Sequence, residues 1–182
     1  MKKIVQKSDK VLRQKAKEIP LEEITTPKIQ KIIKEMSDSL KSQDDGVALA
    51  APQIGYPLKI FVVSGKIFDI DFIRGQGLPT NKKDIPKDLI FINPKISKLS
   101  KEKEWVPEGC LSVRWIYGKV HRSKKATITA YDEKGKKIIR GASGLLAQIF
   151  QHETDHLDGT LFIDKAKELQ EEKPETYFEK DK

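Results

Sequence analysis

The stretch SGLLAQIFQHETDHLDG, residues 143–159, carries two signals at once. Leu145, Leu146, Ile149, Phe150 and Leu157 supply apolar contacts at helical spacing. Gly159 stands where a helix C-terminus favours a left-handed residue, so a helix is predicted from about Ser143 to Asp158. Inside it lies the pattern His-Glu-x-x-His. Positions four apart share one helix face, so His152 and His156 can reach one metal ion together. Glu153 lies about 100° further round. It flanks such an ion without having to ligate it, and there it can carry a proton from water to a leaving group. A solvated polar face is the plain alternative for so short a pattern. The setting argues against it, because two histidines and a glutamate in an otherwise apolar helix are costly to bury without partners.

Two histidines do not complete a catalytic metal site, which takes three protein ligands and a water. Cys110, in EGCLSV (108–113), is the single cysteine of the chain. Taken alone it reads as a packing residue, a nucleophile or a metal ligand. The other candidate is a downstream glutamate such as Glu175, as in zinc peptidases. Its polar, proline-broken setting, QEEKPETYFEK (170–180), is poorly suited to reach back into a core. The remaining histidine, His121, sits in the basic, strand-like KVHRS and reads as a surface or packing residue.

Outward from this helix the chain reads as α+β. TTPKIQKIIKEMSDSLKSQDDG (25–46) predicts a second helix. Thr25 or Thr26 can cap it, Pro27 suits its first turn, Ile29, Ile32, Ile33, Met36 and Leu40 form its apolar stripe, and Gly46 ends it. LKIFVVS (58–64) and LIFINP (89–94) are short, β-branched apolar runs, and KATITAYD–EKGK–KIIRG (125–141) reads as a hairpin. The span 65–88 reads as an irregular surface insertion, and the polar tail from Lys165 as fraying or a short surface helix. Helices and strands are segregated, with no βαβ rhythm.

The bulk numbers set limits. At 182 residues the chain suits one domain with a real core. It has no apolar run of membrane-spanning length and no apolar stretch after its basic opening, so neither a membrane partner nor a secretory signal is expected. A single cysteine fits a reducing compartment. The net charge is +8, and nine Lys/Arg fall between Arg114 and Arg140 against Asp132 and Glu133. Such a surface can be an ordinary solvated face or can contact RNA, including the ribosome. No motif for reading DNA or RNA sequence accompanies it.

Three motifs in order, GVALAAPQIG (46–55), EGCLSV (108–113) and QHETDHLDG (151–159), give the chain a resemblance to the peptide deformylases. VLRQKAKEI (11–19) resembles the opening segment of that family, and the likeness covers about residues 4–164. It implies an α+β fold, with antiparallel or mixed sheets packed around a central metal-binding helix. It also implies a catalytic domain over 1–164 followed by a polar tail over 165–182. Carried over, it makes Cys110, His152 and His156 the ligands of one divalent metal, Fe²⁺ by preference, with Zn²⁺, Ni²⁺ or Co²⁺ as substitutes. Glu153 becomes the general acid/base, and Gln53 with the Leu111 amide the donors to a developing oxyanion. Val47, Ala48, Glu108, Tyr117, Leu145 and Ile149 become candidate substrate contacts. The implied substrate is the N-formyl-methionine end of a nascent chain, met in a bacterial cytoplasm or an organelle.

Finer expectations attach to several positions. Glu108 is expected to support its loop through an ion pair with a residue such as Arg122. Asp155 is expected either to orient a ligand histidine or to cap local structure. Ala48 stands where the family usually has Gly, so a positive φ there would be strained. Arg114, Trp115 and Tyr117 are expected to form one rim of the cleft and to contact the peptide. Two other readings stay open: an H-E-x-x-H zinc peptidase with a downstream Glu ligand, and a basic ribosome- or RNA-binding protein with a structural metal site.

Overall fold

Ile60–Val63 (β2) is apolar at every position because both of its faces are covered. In the computed structural model, which describes residues 2–69 and 85–173, β2 lies inside a five-stranded antiparallel sheet. The order is β1 (Ala48–Ala50), β2, β3 (Leu89–Leu99), β6 (Lys125–Tyr131), β7 (Lys137–Ser143). Ile60 and Val62 join Ile90 and Ile92 of β3 on the face covered by helix α1 (Pro27–Lys41). Phe61, Val63 and Phe91 point the other way, toward helix α2 (Gly144–Leu157). Alternation in a strand sends neighbours to opposite faces. A strand packed by a helix on each face therefore reads as a continuous apolar run.

The stripe predicted for α1 is its buried face: Ile29, Ile32, Ile33, Met36 and Leu40 are all core. On the opposite face Phe61 stacks on Phe91 at 4.7 Å between ring centroids, and Phe150 of α2 meets Phe91 edge-on at 5.2 Å. Such aromatic pairs add about 0.5–1.5 kcal/mol beyond burial. The hairpin β6–β7 forms as expected, from Lys125↔Ser143 to Tyr131↔Lys137.

A second sheet, of order β4 (Lys103–Cys110), β5 (Val113–Ser123), β8 (Lys167–Glu171), is also antiparallel. Its buried face shares Val113 and Val120 with Leu12, Leu161 and Phe162. Helix α2 contacts strands of both sheets, so it is the central element of this α+β fold. The N-terminal stretch stitches the assembly: Ala16 N–H donates to Leu157 O at the end of α2, and Val5 N–H to Gln53 O.

Several local expectations are corrected. Helix α1 stops at Lys41 with Ser42 as its C-cap, so Gly46 is not its terminator. Thr26 holds the N-cap position, but its hydroxyl donates back to Glu23 O instead of accepting from the helix. The tail from Lys165 is not helical in its described part: Lys167–Glu171 is an edge strand paired with β5. Of the span read as a surface insertion, 70–84 lies outside the described residues. Gly65–Phe68 is a 3₁₀ turn in which Gly65, Lys66 and Ile67 are buried. The expectation for Gly159 holds, since it follows the Asp158 C-cap at φ 76°.

Candidate metal centre and cleft

Cys110 Sγ, His152 and His156 each offer one ligand atom, and the three atoms lie within 4.8 Å of one another. Among the described residues this is the set of side chains that can hold a metal. Cys110 ends β4, whereas the two histidines come from successive turns of α2. Cys110 Sγ is 3.2 Å from His156 Nε2. Zinc-type bond lengths of about 2.0–2.3 Å around a tetrahedral ion place ligand atoms about 3.5 Å apart. Glu175, the competing ligand, lies outside the described residues. His121 is exposed on β5 and stacked on Trp105.

One surrounding carboxylate sets the tautomer of a ligand. His152 Nδ1–H donates to Glu108 Oε2 at 2.9 Å, which leaves Nε2 free for a metal. Arg122 fixes Glu108 in turn, with Nε and Nη2 donating to its two oxygens at 2.7 and 2.9 Å. The expected Glu108–Arg122 pair is therefore present and buried. Arg122 Nη1 also donates to Asp155 Oδ2 at 2.6 Å, and Lys165 donates to the other Asp155 oxygen. Asp155 thus orients no histidine; it anchors the arginine behind Glu108. Burial opposes the charge on Glu108, but the bonds from Arg122 and His152 outweigh it and hold the carboxyl at about 2.

The residues fit a cation. Burial pulls His152 down, yet Cys110 and Glu108 beside it raise it well above the usual imidazole range. Burial, and then the charge at His152, drives His156 well below that range. One thiol sulfur and two imidazole nitrogens converging from two elements form a donor set suited to a single divalent ion. Glu153 is buried, and its Oε2 has no hydrogen-bond partner among the described residues. Burial pushes its carboxyl up to about 7, while the His152 charge pulls the other way.

The cleft over this centre encloses about 310 Å³. Val47 and Ala48 line one wall, Glu108, Leu111 and Tyr117 another, and Leu145 and Ile149 of α2 complete it. His152, Glu153, Gln53 and Cys110 face the same space, while His156 is buried behind them. Gln53 is held by both ends of its amide. Its Oε1 accepts from Ala50 N–H at 2.8 Å, which turns Nε2 toward Ser112 Oγ at 3.2 Å and Cys110 Sγ at 3.5 Å. Leu111 sits in the β4–β5 turn, and Gln6 Nε2 donates to its carbonyl. Ala48 lies in β1 and is absent from the positive-φ residues, so its methyl narrows the cleft without backbone strain.

Two contributors escaped the sequence. Ser112 is fully buried and receives the Gln53 amide. Gln148, on the cleft, donates to Pro107 O at 2.8 Å and ties α2 to β4. Only the spacing of Gln148 to His152, one helical turn, hinted at a shared face.

Comparison with known proteins adds an independent result. The polypeptide deformylase family profile matches residues 1–172. Peptide deformylase 2 of Clostridium acetobutylicum is 39% identical over 160 residues, 88% of this chain and 91% of its own length. Peptide deformylase 1A, chloroplastic, of Solanum lycopersicum is 42% identical over 165 residues, 91% of this chain. This chain spans only 59% of that plant protein. A peptide deformylase from Legionella pneumophila superposes with a TM-score of 0.76 at 33% identity, covering 92% of this chain and 87% of that one. A Met-Ala-Ser-bound peptide deformylase from Acinetobacter baumannii gives 0.75 at 25% identity, covering 91% and 98%. With the family profile spanning nearly all of the described residues and the metal-ligand cluster lying inside that span, this chain belongs to the peptide deformylase family.

Proposed function

We propose that this protein hydrolyses the formyl group from N-formyl-methionine at the start of nascent chains, releasing formate and a free amino terminus. The observation that carries the reading is the joining of Cys110, His152 and His156 beside the buried Glu153 at the floor of one cleft. The Acinetobacter baumannii relative binds Met-Ala-Ser, the peptide that deformylation of formyl-Met-Ala-Ser would leave.

Cys110, His152 and His156 would hold one divalent cation, Fe²⁺ by preference, with Zn²⁺, Ni²⁺ or Co²⁺ able to replace it. When bound, the ion supplies Lewis acidity, polarising the formyl carbonyl and lowering the pKa of the attacking water. Glu153 Oε2 takes the proton from that water and delivers it to the departing amine nitrogen. Burial, which raises the Glu153 carboxyl, favours its holding the proton between the two transfers. Gln53 Nε2 and the Leu111 N–H donate to the formyl oxygen as charge develops there. Val47, Ala48, Leu145 and Ile149 receive the methionine side chain, and Tyr117 borders the path of the peptide. Glu108 acts through His152, keeping its imidazole in the tautomer that leaves Nε2 free. The substrates are nascent chains in a bacterial cytoplasm or an organelle, and the basic surface over 114–140 is available for a ribosome contact.

Formate release from formyl-Met-Ala-Ser tests the reading. Iron-loaded protein kept under anaerobic conditions is expected to turn over, and Glu153→Gln to lose at least 100-fold in kcat while keeping its metal. No formate from the wild-type protein so prepared would refute the proposal. Cys110→Ala separates it from a zinc peptidase with a downstream Glu ligand: retained metal and retained activity in that variant would favour the peptidase.

A further inference from the structure

The β4–β5 hairpin breaks its register at the metal centre. Cys110 pairs with Val113, and Gly109 pairs with Tyr117. One step along β4 thus spans four along β5, and Arg114, Trp115 and Ile116 bulge out of that ladder. Trp115 adopts φ 66°, a conformation that glycine takes freely and a bulky L-residue rarely adopts. Its side chain is half-buried, lines the cleft and belongs to none of the three core clusters.

Both flanks of the bulge are held. Arg114 Nη1 donates to Asp45 Oδ2 at 2.5 Å and Nη2 to Gln43 Oε1 at 2.6 Å, so the bulge is clasped to the loop after α1. The same guanidinium lies 5.3 Å from the centroid of the Trp115 ring, within cation–π range. On the other side, Ile116 pairs with Glu171 of β8, and Glu172 N–H donates to Trp115 O at 2.8 Å. Trp115 also lines a shallow depression that adjoins the cleft, together with Asp44 and Asp45. It stands where the cleft opens outward.

We propose that Trp115 is a specificity-determining residue whose indole receives an apolar side chain on the residue that follows formyl-methionine. This rests on the deformylase reading above. Trp115 lines both the cleft and the depression beside it, so a peptide running outward from the metal centre along that depression passes this wall. A wall fixed from both sides loses little freedom on binding, so apolar contact with it strengthens affinity.

The test compares kcat/KM for formyl-Met-Leu-Ser, formyl-Met-Gly-Ser and formyl-Met-Asp-Ser in wild type, Trp115→Phe and Trp115→Gly, with metal content and thermal midpoint as checks on folding. Wild type is expected to favour Leu over Gly at least tenfold, chiefly through KM, with Asp, which offers the indole no apolar surface, no better than Gly. Trp115→Phe should keep most of the Leu preference, and Trp115→Gly should reduce it to threefold or less. If Trp115→Gly does not fold, Trp115→Ala is held to the same limit. A Leu-to-Gly ratio unchanged by removing the indole, or absent in wild type, overturns the assignment. Failure of wild type to release formate from any of the three sinks the deformylase reading instead, and the assignment with it.

Discussion

At the scale of single residues, the site depends on groups that are oriented before any substrate arrives. Gln53 shows how. Its carbonyl is occupied by Ala50 N–H, so only the amino end is presented to the cleft. Gln53→Ala is expected to lower kcat by about 10²–10³, or about 2.7–4 kcal/mol of barrier, with metal content unchanged. Steady-state kinetics beside metal analysis would check this, and an effect confined to metal loss would contradict it. Glu108 acts one step further out. Glu108→Gln weakens the partner of His152 Nδ1 and leaves Arg122 without its full counter-charge. Metal affinity should fall about 10–100-fold, read by competition with a chelator. The ligand pair and Glu153 were legible from spacing alone, because i and i+4 on a helix is a local relation. The role of Glu108 as partner of His152 was not, since Asp155 lay closer in sequence and offered the same chemistry.

At the scale of elements, the ends of α2 carry as much information as its middle. Gly159 has φ 76°, and a Cβ there would come within 2.9 Å of the Arg13 backbone carbonyl. Gly135, in the β6–β7 turn, has almost the same φ of 77° with open space around it. The pair separates conformational strain from steric overlap. Gly135→Ala should cost about 1–2 kcal/mol, the price of a left-handed L-residue. Gly159→Ala should cost clearly more, because backbone at Arg13 must also move. Urea midpoints of the two variants decide the matter, and equal losses would show that the contact at Arg13 relaxes freely. The amphipathic stripe of α1 and the doubly covered β2 were readable from sequence, since each follows the period of its own element. Strand β8 was not, because KELQE has no apolar pattern and is held by edge pairing to β5.

At the scale of the whole molecule, two buried carboxylates pull stability in opposite directions with pH. Glu153 has a folded value of about 7 against an ordinary 4.5, so the metal-free fold prefers its acid form. That preference is fully present below about pH 4.5 and is lost as pH rises through 7. Glu108 is the reverse: at about 2 in the fold, it stabilises above 4.5, and the contribution is lost as pH falls toward 2. Each interval corresponds to about 3 kcal/mol. Metal-free Glu153→Gln should therefore be more stable than wild type above pH 7 and nearly equal to it at pH 4. Urea unfolding at the two pH values measures this, and a difference that does not grow with pH would contradict it. The same substitution is the one expected to abolish turnover, so the catalytic carboxylate is held at a cost to the fold.

The sequence by itself determined both helices, the strands covered on two faces, the hairpin β6–β7 and the His152–Glu153–His156 constellation. Each is encoded by a period or spacing within one segment. Tertiary structure decided between the candidates that the residues left open for the third ligand by bringing Cys110 to the two histidines, and it alone decided that Glu108 and not Asp155 sets the tautomer of His152 and that Trp115 sits in a bulge of β5. These depend on how β4 registers against β5 and how α2 lies across both sheets. A single bulge of three residues moves every side chain beyond it, and no local pattern of apolar and polar residues records where such a bulge falls.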